Sequence, residues 1–213
     1  MGKEETSPMD AVMLAELLCA RVCHDLSGPV GATAAGAELF EDLGGGDPET
    51  LALVSTSAAG AAARLRLLRA ALGPAASAPQ ALAAQRAKVD AHLASQVSAA
   101  APAIVAHWHD CPDQIDGERA RLLLNLALLG RDALPRGGGM ELSLTDGWPV
   151  LLAHGEPASL AADVKAALLE GGDVCGPRAA QGLFTRLLAG KLKGKVVVSA
   201  TPRGLRVATE ALG

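Results

Sequence analysis

Aromatic residues are nearly missing from this 213-residue sequence, which has no tyrosine, two tryptophans and two phenylalanines. Long basic runs are missing as well, and the short patch at residues 191–195 is expected to be a solvated loop. The net charge is −4 and the isoelectric point is near 5.7. Because a surface that binds nucleic acid needs clustered positive charge, we expect no nucleic-acid partner.

Two further absences concern membranes. No uninterrupted apolar run approaches the roughly 20 residues that span a bilayer. The polar N-terminus also lacks the apolar core of a secretory signal. We therefore expect a cytoplasmic protein with no membrane partner.

Cysteine is scarce, and the four cysteines do not suggest a disulfide framework in an intracellular chain of this size. Cys19 and Cys23 lie one helical turn apart, beside His24. A haem-attachment motif has one residue fewer between its cysteines, and a zinc site would need a second cysteine pair. We expect both thiols to be buried as small hydrophobic groups, with no metal.

Alanine and leucine are abundant, and half of all residues are hydrophobic, which favours helices. After a disordered segment at residues 1–8, residues 9–43 are predicted to form the first helix, which ends at three glycines. At 100° per residue, six side chains fall on one apolar stripe: Ala15, Leu18, Cys19, Val22, Leu26 and Val30. His24 lies roughly opposite this stripe, so we expect its imidazole to face solvent.

The surroundings of His24 are unusual for a helix. Its neighbours on the same side are mostly small: Ala20, Ser27, Gly28 and Gly31, with Arg21 on the flank. Pro29 removes a backbone N–H and clashes with the carbonyl of Asp25, so we expect a kink or a loosened turn beyond His24. A helix that breaks the rules at one place is typical of a functional site. The small side chains suggest that another protein approaches the imidazole.

A second helix is predicted from Pro48, capped by Asp47, to about Leu72, where Gly73 and Pro74 stop it. It carries three arginines, which we interpret first as solvated charges and second as contacts to an acidic partner: Arg64, Arg66 and Arg69. Two such helices form a hairpin that cannot bury both faces alone. Pairing with a second copy would make a four-helix bundle, so we expect a homodimer.

Residues 74–80 are predicted to be a linker, and the pattern beyond it is that of an α+β domain over residues 80–213. Helices are predicted at 80–98, 117–134, 157–170 and 178–190. Strands are predicted at 103–109, 140–145, 149–153, 196–200 and 205–209. His107 and His109 should face the same side of the sheet, where a metal pair is the less favoured interpretation. His92 and His154 are expected to be ordinary surface or boundary residues.

The first helix carries a family resemblance. His24 and Asp25, followed by three residues and Pro29, resemble the phosphoacceptor motif of the histidine-kinase dimerisation domain. The wider stretch at residues 16–26 resembles the ChpT-type histidine phosphotransferases of bacterial phosphorelays. This resemblance implies a dimerisation hairpin over residues 9–73, followed by a domain similar to the ATPase domain of histidine kinases.

The second domain departs from that ATPase pattern in three ways. Asn125 stands at the position of the magnesium-holding asparagine, but the base four residues earlier is replaced by Arg121, which cannot act as a base at neutral pH. No Asp-x-Gly-x-Gly stretch for adenine is present, and the segment at residues 173–177 is a poor substitute. No later Gly-x-Gly run or Walker loop is present either. We therefore do not expect ATP binding.

The resemblance implies a phosphotransferase. His24 would accept a phosphoryl group from a receiver-domain aspartate of a hybrid histidine kinase and pass it to the receiver domain of a response regulator. Asp25 would orient the imidazole, and the partner-binding rim would be formed by Arg21, Ser27, Gly28, Pro29 and Gly31. No cofactor is expected in this chain, since the receiver brings its own magnesium. Two alternatives stay open: an ATP-dependent histidine kinase, and a scaffold without catalytic activity.

Overall fold

The computed structural model describes residues 11–97, 102–171 and 174–213. The predicted disordered segment at residues 1–8 lies outside them, as do Asp173 and the end of the predicted helix at 80–98. The described residues form six helices: α1 (Ala11–Asp42), α2 (Pro48–Leu72), α3 (Leu82–Ala94), α4 (Gly117–Ala133), α5 (Ala162–Leu169) and α6 (Pro177–Lys191). Seven strands are assigned: β1 (Gln80–Ala81), β2 (Ile104–His109), β3 (Gln114–Ile115), β4 (Gly138–Thr145), β5 (Trp148–His154), β6 (Gly194–Thr201) and β7 (Gly204–Ala211). The predicted class, an α+β fold with an N-terminal helical hairpin, is confirmed.

The hairpin follows from local sequence signals. The side chain of Asp47 accepts a hydrogen bond from the Thr50 amide at 2.8 Å, and Pro48 occupies the first turn of α2. The close approach of the two helices requires a glycine, because a Cβ at Gly36 would meet Val54 at 2.9 Å. The C-terminal half of α2 buries Leu67 and Leu68 in the main core, so the hairpin is anchored to the rest of the chain.

The main sheet has the order β2-β4-β5-β7-β6, and only the β2–β4 pair is parallel. One face of the sheet is apolar: Leu142 pairs with Leu151, and Leu151 pairs with Val207, all fully buried. Helices α3 to α6 pack against this sheet. The two-residue strands β1 and β3 pair with each other and were not predicted, because such short segments carry no alternation.

Helix α4 lies at the centre of the core. Its residues 122–129 are all at most 2% exposed, including the polar Asn125. A Cβ at Gly130 would meet Leu151 at 2.8 Å, so the glycine allows α4 to approach the sheet. The helix thereby brings Asp132, near its C-terminal end, to the side of the hairpin.

Apolar surface persists on the hairpin. Several large side chains of α1, α2 and their loop are about half exposed: Met13, Val30, Leu39, Leu43, Leu51, Leu53 and Leu65. Among the described residues, α2 alone is long and apolar enough to span a membrane by length and composition. A single such helix is weak support for a span, since helices of soluble proteins also pass this test.

Candidate functional site

His24 lies on α1 with 79% of its side chain exposed, as predicted. Its Nδ1 lies 3.1 Å from Oδ1 of Asp25, the next residue. A carboxylate can only accept a hydrogen bond, so Nδ1 carries the proton and the lone pair remains on Nε2. The imidazole therefore presents a free nitrogen to solvent.

The space around His24 is open. A Cβ added at Gly28 or Gly31 would meet no atom within 4 Å. Ser27 turns its hydroxyl back to the helix and donates to the Cys23 carbonyl at 2.7 Å. No bulky neighbour on this turn therefore blocks an approaching group.

Pro29 has a specific consequence for Asp25. Helix α1 continues through Pro29, although proline has no N–H to donate to the carbonyl four residues earlier. That carbonyl belongs to Asp25, and it accepts a hydrogen bond from Arg64 Nη1 on α2 at 3.1 Å. The other Arg64 nitrogen, Nη2, donates to the Ser95 carbonyl at 3.3 Å. Arg64 is therefore bound rather than solvated, which corrects the first interpretation of its charge.

Arg21 is also placed differently from the sequence prediction. It was expected on the rim of the site, but it is 5% exposed and forms an ion pair with Asp132 of α4 at 2.7 Å. Its Nε lies 3.6 Å from the second oxygen of Asp25. An arginine this deeply buried needs charged partners, and Asp132 of α4 adds one to Asp25 of its own helix. Asp25 is thus contacted by His24 through one oxygen and by Arg21 through the other.

These residues line one groove of about 900 Å³, which we call the His24 groove. From α1 it includes Arg21, His24, Asp25, Ser27 and Gly28, whereas Pro29 and Gly31 lie outside its lining. The sequence did not indicate its other residues: Arg64, His92, Gln96, Arg131, Asp132, Asp163, Gly176, Pro177 and Arg178. They come from α2 to α6, so only the folded chain brings them to the imidazole.

His92 was expected to be an ordinary surface or boundary residue, but it is 3% exposed. Its Nε2 lies 2.5 Å from Nε2 of Gln96, whose side-chain oxygen accepts from Arg131. Burial, assisted by the charge of Arg64, lowers the pKa of His92 from 6.5 to about 4. The floor of the His24 groove therefore contains a neutral histidine at physiological pH.

Asn125 occupies a second polar position. Its Nδ2 donates to the carbonyls of Ala71 and Arg121, both at 2.8 Å, and its side-chain oxygen accepts from Gln181 of α6. The residue is fully buried. Arg121 lies over the Phe184 ring at 5.0 Å and donates to the Leu72 carbonyl. The amide that would face a nucleotide-bound metal in an ATPase domain is therefore engaged in the core.

The other histidines and the cysteines give mixed outcomes. His107 and His109 are exposed on the same side of β2, as predicted, with ring centroids 6.4 Å apart. Cys19 and Cys23 were predicted to be buried, and this is wrong for the single chain: both thiols are free and exposed. The apolar stripe of α1 is only partly covered, because α2 and α6 pack on part of its circumference. Within residues 11–97, 102–171 and 174–213, no three or more His, Cys, Asp or Glu residues form a metal-binding group.

Comparison with known proteins identifies the family of this chain. Residues 91–204, more than half of the chain, match the family model of the histidine phosphotransferase C-terminal domain. Protein phosphotransferase ChpT of Brucella abortus (strain 2308) is 36% identical over 141 residues, which are 64% of this chain and 63% of that protein. The matched region thus spans less than two thirds of the Brucella protein. A solved structure described as a bacterial phosphotransferase superposes with a TM-score of 0.80 at 27% identity, over 96% of this chain and 99% of that one. The chain belongs to the histidine phosphotransferase family.

Proposed function

We propose that this protein is a phosphotransferase of a two-component phosphorelay. His24 accepts a phosphoryl group from the aspartyl phosphate of one receiver domain and passes it to the aspartate of a second. The observation that carries the proposal is the His24 imidazole itself: its Nδ1 is held by Asp25 at 3.1 Å, and the ring is 79% exposed beside an open groove.

The reaction needs an in-line displacement at phosphorus. The lone pair of Nε2 forms a bond to phosphorus while the bond to the receiver's carboxylate oxygen breaks, and the aspartate leaves as a carboxylate. The imidazole gains positive charge as the bond forms. The adjacent carboxylate of Asp25 stabilises that charge through Nδ1, and it fixes the tautomer beforehand.

This chain contributes position rather than a cofactor. The receiver is expected to bring its own magnesium, which neutralises the phosphoryl oxygens. Asp132 holds Arg21, Arg21 lies 3.6 Å from one oxygen of Asp25, and Arg64 donates to the Asp25 carbonyl, so these contacts favour the placement of the acid beside His24. These three residues are positioning residues, because they act on the imidazole through Asp25.

The partners we propose are receiver domains: one from a hybrid histidine kinase and one from a response regulator. The rim of α1 at Ser27, Gly28, Pro29 and Gly31 would admit their active-site loops, since these residues leave His24 unobstructed. The groove wall beyond it carries both signs of charge, with Arg178 and Asp163 on α6 and α5. Such a mixed wall can position a protein partner by complementary charge.

We also propose that the protein acts as a cytoplasmic homodimer. The half-exposed apolar side chains of α1 and α2 support this, because a second hairpin would cover them in a four-helix bundle. Cys19 and Cys23 would then be candidates for partial burial between the copies. Neither a nucleic acid nor a membrane is proposed as a partner.

The experiment is phosphoryl transfer from a labelled, phosphorylated receiver domain to the wild-type protein and to His24→Ala, with labelled ATP alone as a parallel arm. We expect label on the wild type from the receiver only, and none on the variant. Label taken directly from ATP would mean a working kinase. Absence of label from every receiver tried would leave the scaffold interpretation.

A further inference from the structure

A second groove of about 450 Å³ lies between the end of α2, helix α3 and the start of α4, away from His24. We call it the cationic groove. Its charged lining residues are all basic: Arg66 and Arg69 of α2, Lys88 of α3 and Arg121 of α4. Among the described residues, no acidic side chain lines it, although the whole chain has a net charge of −4.

The basic residues of this groove have few acidic neighbours. In the cationic groove, no ion pair to Arg66, Arg69 or Lys88 is found among the described residues. Only Arg121 has an acid near it, Glu118 at 3.7 Å, and that carboxylate also contacts Lys191.

The wall of the groove also holds a polar group that is nearly buried. Gln85 is 3% exposed, and its side-chain oxygen accepts from Lys88 Nζ at 3.1 Å. Lys88 is partly buried without an acid beside it, and this burial lowers its pKa.

From these observations we infer that the cationic groove binds a small anion that carries a diphosphate group. Arginine guanidinium groups bind phosphate oxygens through paired, charge-assisted hydrogen bonds, and a cleft lined by one sign of charge concentrates counter-ions. The groove volume falls in the usual range for small-molecule sites. Asn125 does not line the groove but Arg121 does, so the groove borders one of the two positions that the resemblance to an ATPase domain marks.

A diphosphate could come from inorganic pyrophosphate or from a nucleotide, and titration calorimetry with pyrophosphate and with ADP, both without magnesium, distinguishes the two. Binding of both probes would mean recognition of the diphosphate alone. Binding of ADP only would mean that the nucleoside contributes. Saturable binding of either probe supports the site, and no saturable binding of either overturns it.

Variants then locate the binding. Arg66→Gln/Arg69→Gln should weaken it by at least about tenfold, since two charge-assisted contacts are lost. Arg136→Gln/Arg203→Gln removes the same charge from two exposed arginines outside the groove and should change affinity less than about twofold. An equal loss in both double variants would overturn the proposal, because it would mean attraction to the whole molecule. His24→Ala should bind as the wild type does, so this result is independent of phosphoryl transfer.

Discussion

His24 and Asn125, the two polar residues that the sequence marks most clearly, lie in opposite environments. His24 lies on an exposed turn, with one nitrogen held by Asp25 and the other facing solvent. Asn125 is fully buried, and both ends of its amide are bonded to α2, to its own helix and to α6. One position keeps a ring nitrogen accessible to solvent, whereas the other has its polar atoms engaged within the fold.

The difference shows how differently one chain can treat two polar side chains on its helices. A site that binds a ligand must leave polar groups unpaired until the ligand arrives, and such groups are costly when buried. The Asn125 amide has protein partners instead, and Arg121 lies against Phe184. The residues around Asn125 therefore stabilise the fold, and the variants below test whether the two positions respond separately.

We expect the largest loss of stability from breaking the buried ion pair between Arg21 and Asp132. Arg21→Ala leaves Asp132 without its 2.7 Å partner, in a position where its side chain is 13% exposed. Breaking a buried ion pair by removing one member costs about 3 kcal/mol or more. We expect a lower free energy of unfolding in urea and slower phosphoryl transfer.

A second variant separates these two consequences. In Arg21→Met/Asp132→Leu neither charge is left unpaired, so much of the stability should return. Transfer should stay slow, because Asp25 still lacks the Arg21 contact. If transfer recovers together with stability, Arg21 has no positioning role.

Asn125→Ala should affect stability and spare transfer. The substitution leaves the Ala71 carbonyl and the Gln181 amide without their partner in the core. Unsatisfied buried groups cost roughly 1–3 kcal/mol each, so we expect a loss of about 2–3 kcal/mol in the free energy of unfolding. Transfer by the folded variant should stay within about twofold of wild type.

His24→Ala is the matched control in the same urea experiment. Its exposed ring makes one surface contact, so the free energy of unfolding should change by less than about 0.5 kcal/mol. A large loss of stability from His24→Ala, or a loss of transfer from Asn125→Ala, would mean that the two residues do not have separate roles.

Asp25→Asn tests the carboxylate beside the imidazole. The amide keeps the size of the side chain but loses the charge that stabilises the imidazolium. We expect transfer to slow by roughly tenfold to a hundredfold, since a hydrogen bond to a charged group is worth about 1.5–3 kcal/mol. An unchanged rate of transfer would exclude Asp25 from the mechanism.

The smallest effect concerns His92, which lies under the His24 groove. Its pKa is lowered to about 4 when folded and returns to about 6.5 when unfolded, so below pH 6.5 the unfolded chain binds the additional proton. Stability is therefore lost as the pH falls from 6.5 toward 4. Between pH 7.5 and 5.5 we expect a loss of about 1 kcal/mol in the free energy of unfolding.

The groups that face His92 include Arg64, Asp25, Arg131 and Arg21, and three of the four are positive. The variant His92→Leu removes the titrating group and should flatten the pH dependence of unfolding over this window. If the wild type and the variant lose stability in parallel between pH 7.5 and 5.5, the dependence belongs to other groups.

Much of the fold could be predicted because it follows from local pattern. Both ends of α2 were predicted from Asp47, Pro48 and Gly73, because each of these residues acts on a helix locally. The exposure of His24 followed from helical periodicity alone. Strands β1 and β3 were missed, since their pairing depends on distant backbone rather than on their own residues.

The site was only partly predictable, because its second half comes from distant parts of the chain. Arg21 and Arg64 carry no local signal that separates a buried, paired arginine from a solvated one. Pro29 did carry such a signal: it leaves the Asp25 carbonyl without a helical donor, which predicts a donor from elsewhere. That donor, Arg64, could be identified only from the packing of α1 against α2. The burial of Cys19 and Cys23 was mispredicted for a related reason, since periodicity gives the face of a helix but not what covers it.

The most direct test of phosphoryl transfer through His24 uses two receiver domains in one vessel, with the first receiver labelled and ATP absent. We predict that label appears on the second receiver only when the wild-type protein is present, passing through an acid-labile adduct that tandem mass spectrometry places on His24. His24→Ala, folded to the same stability, should leave all label on the first receiver. If label reaches the second receiver equally well with His24→Ala, the phosphoryl group does not pass through His24.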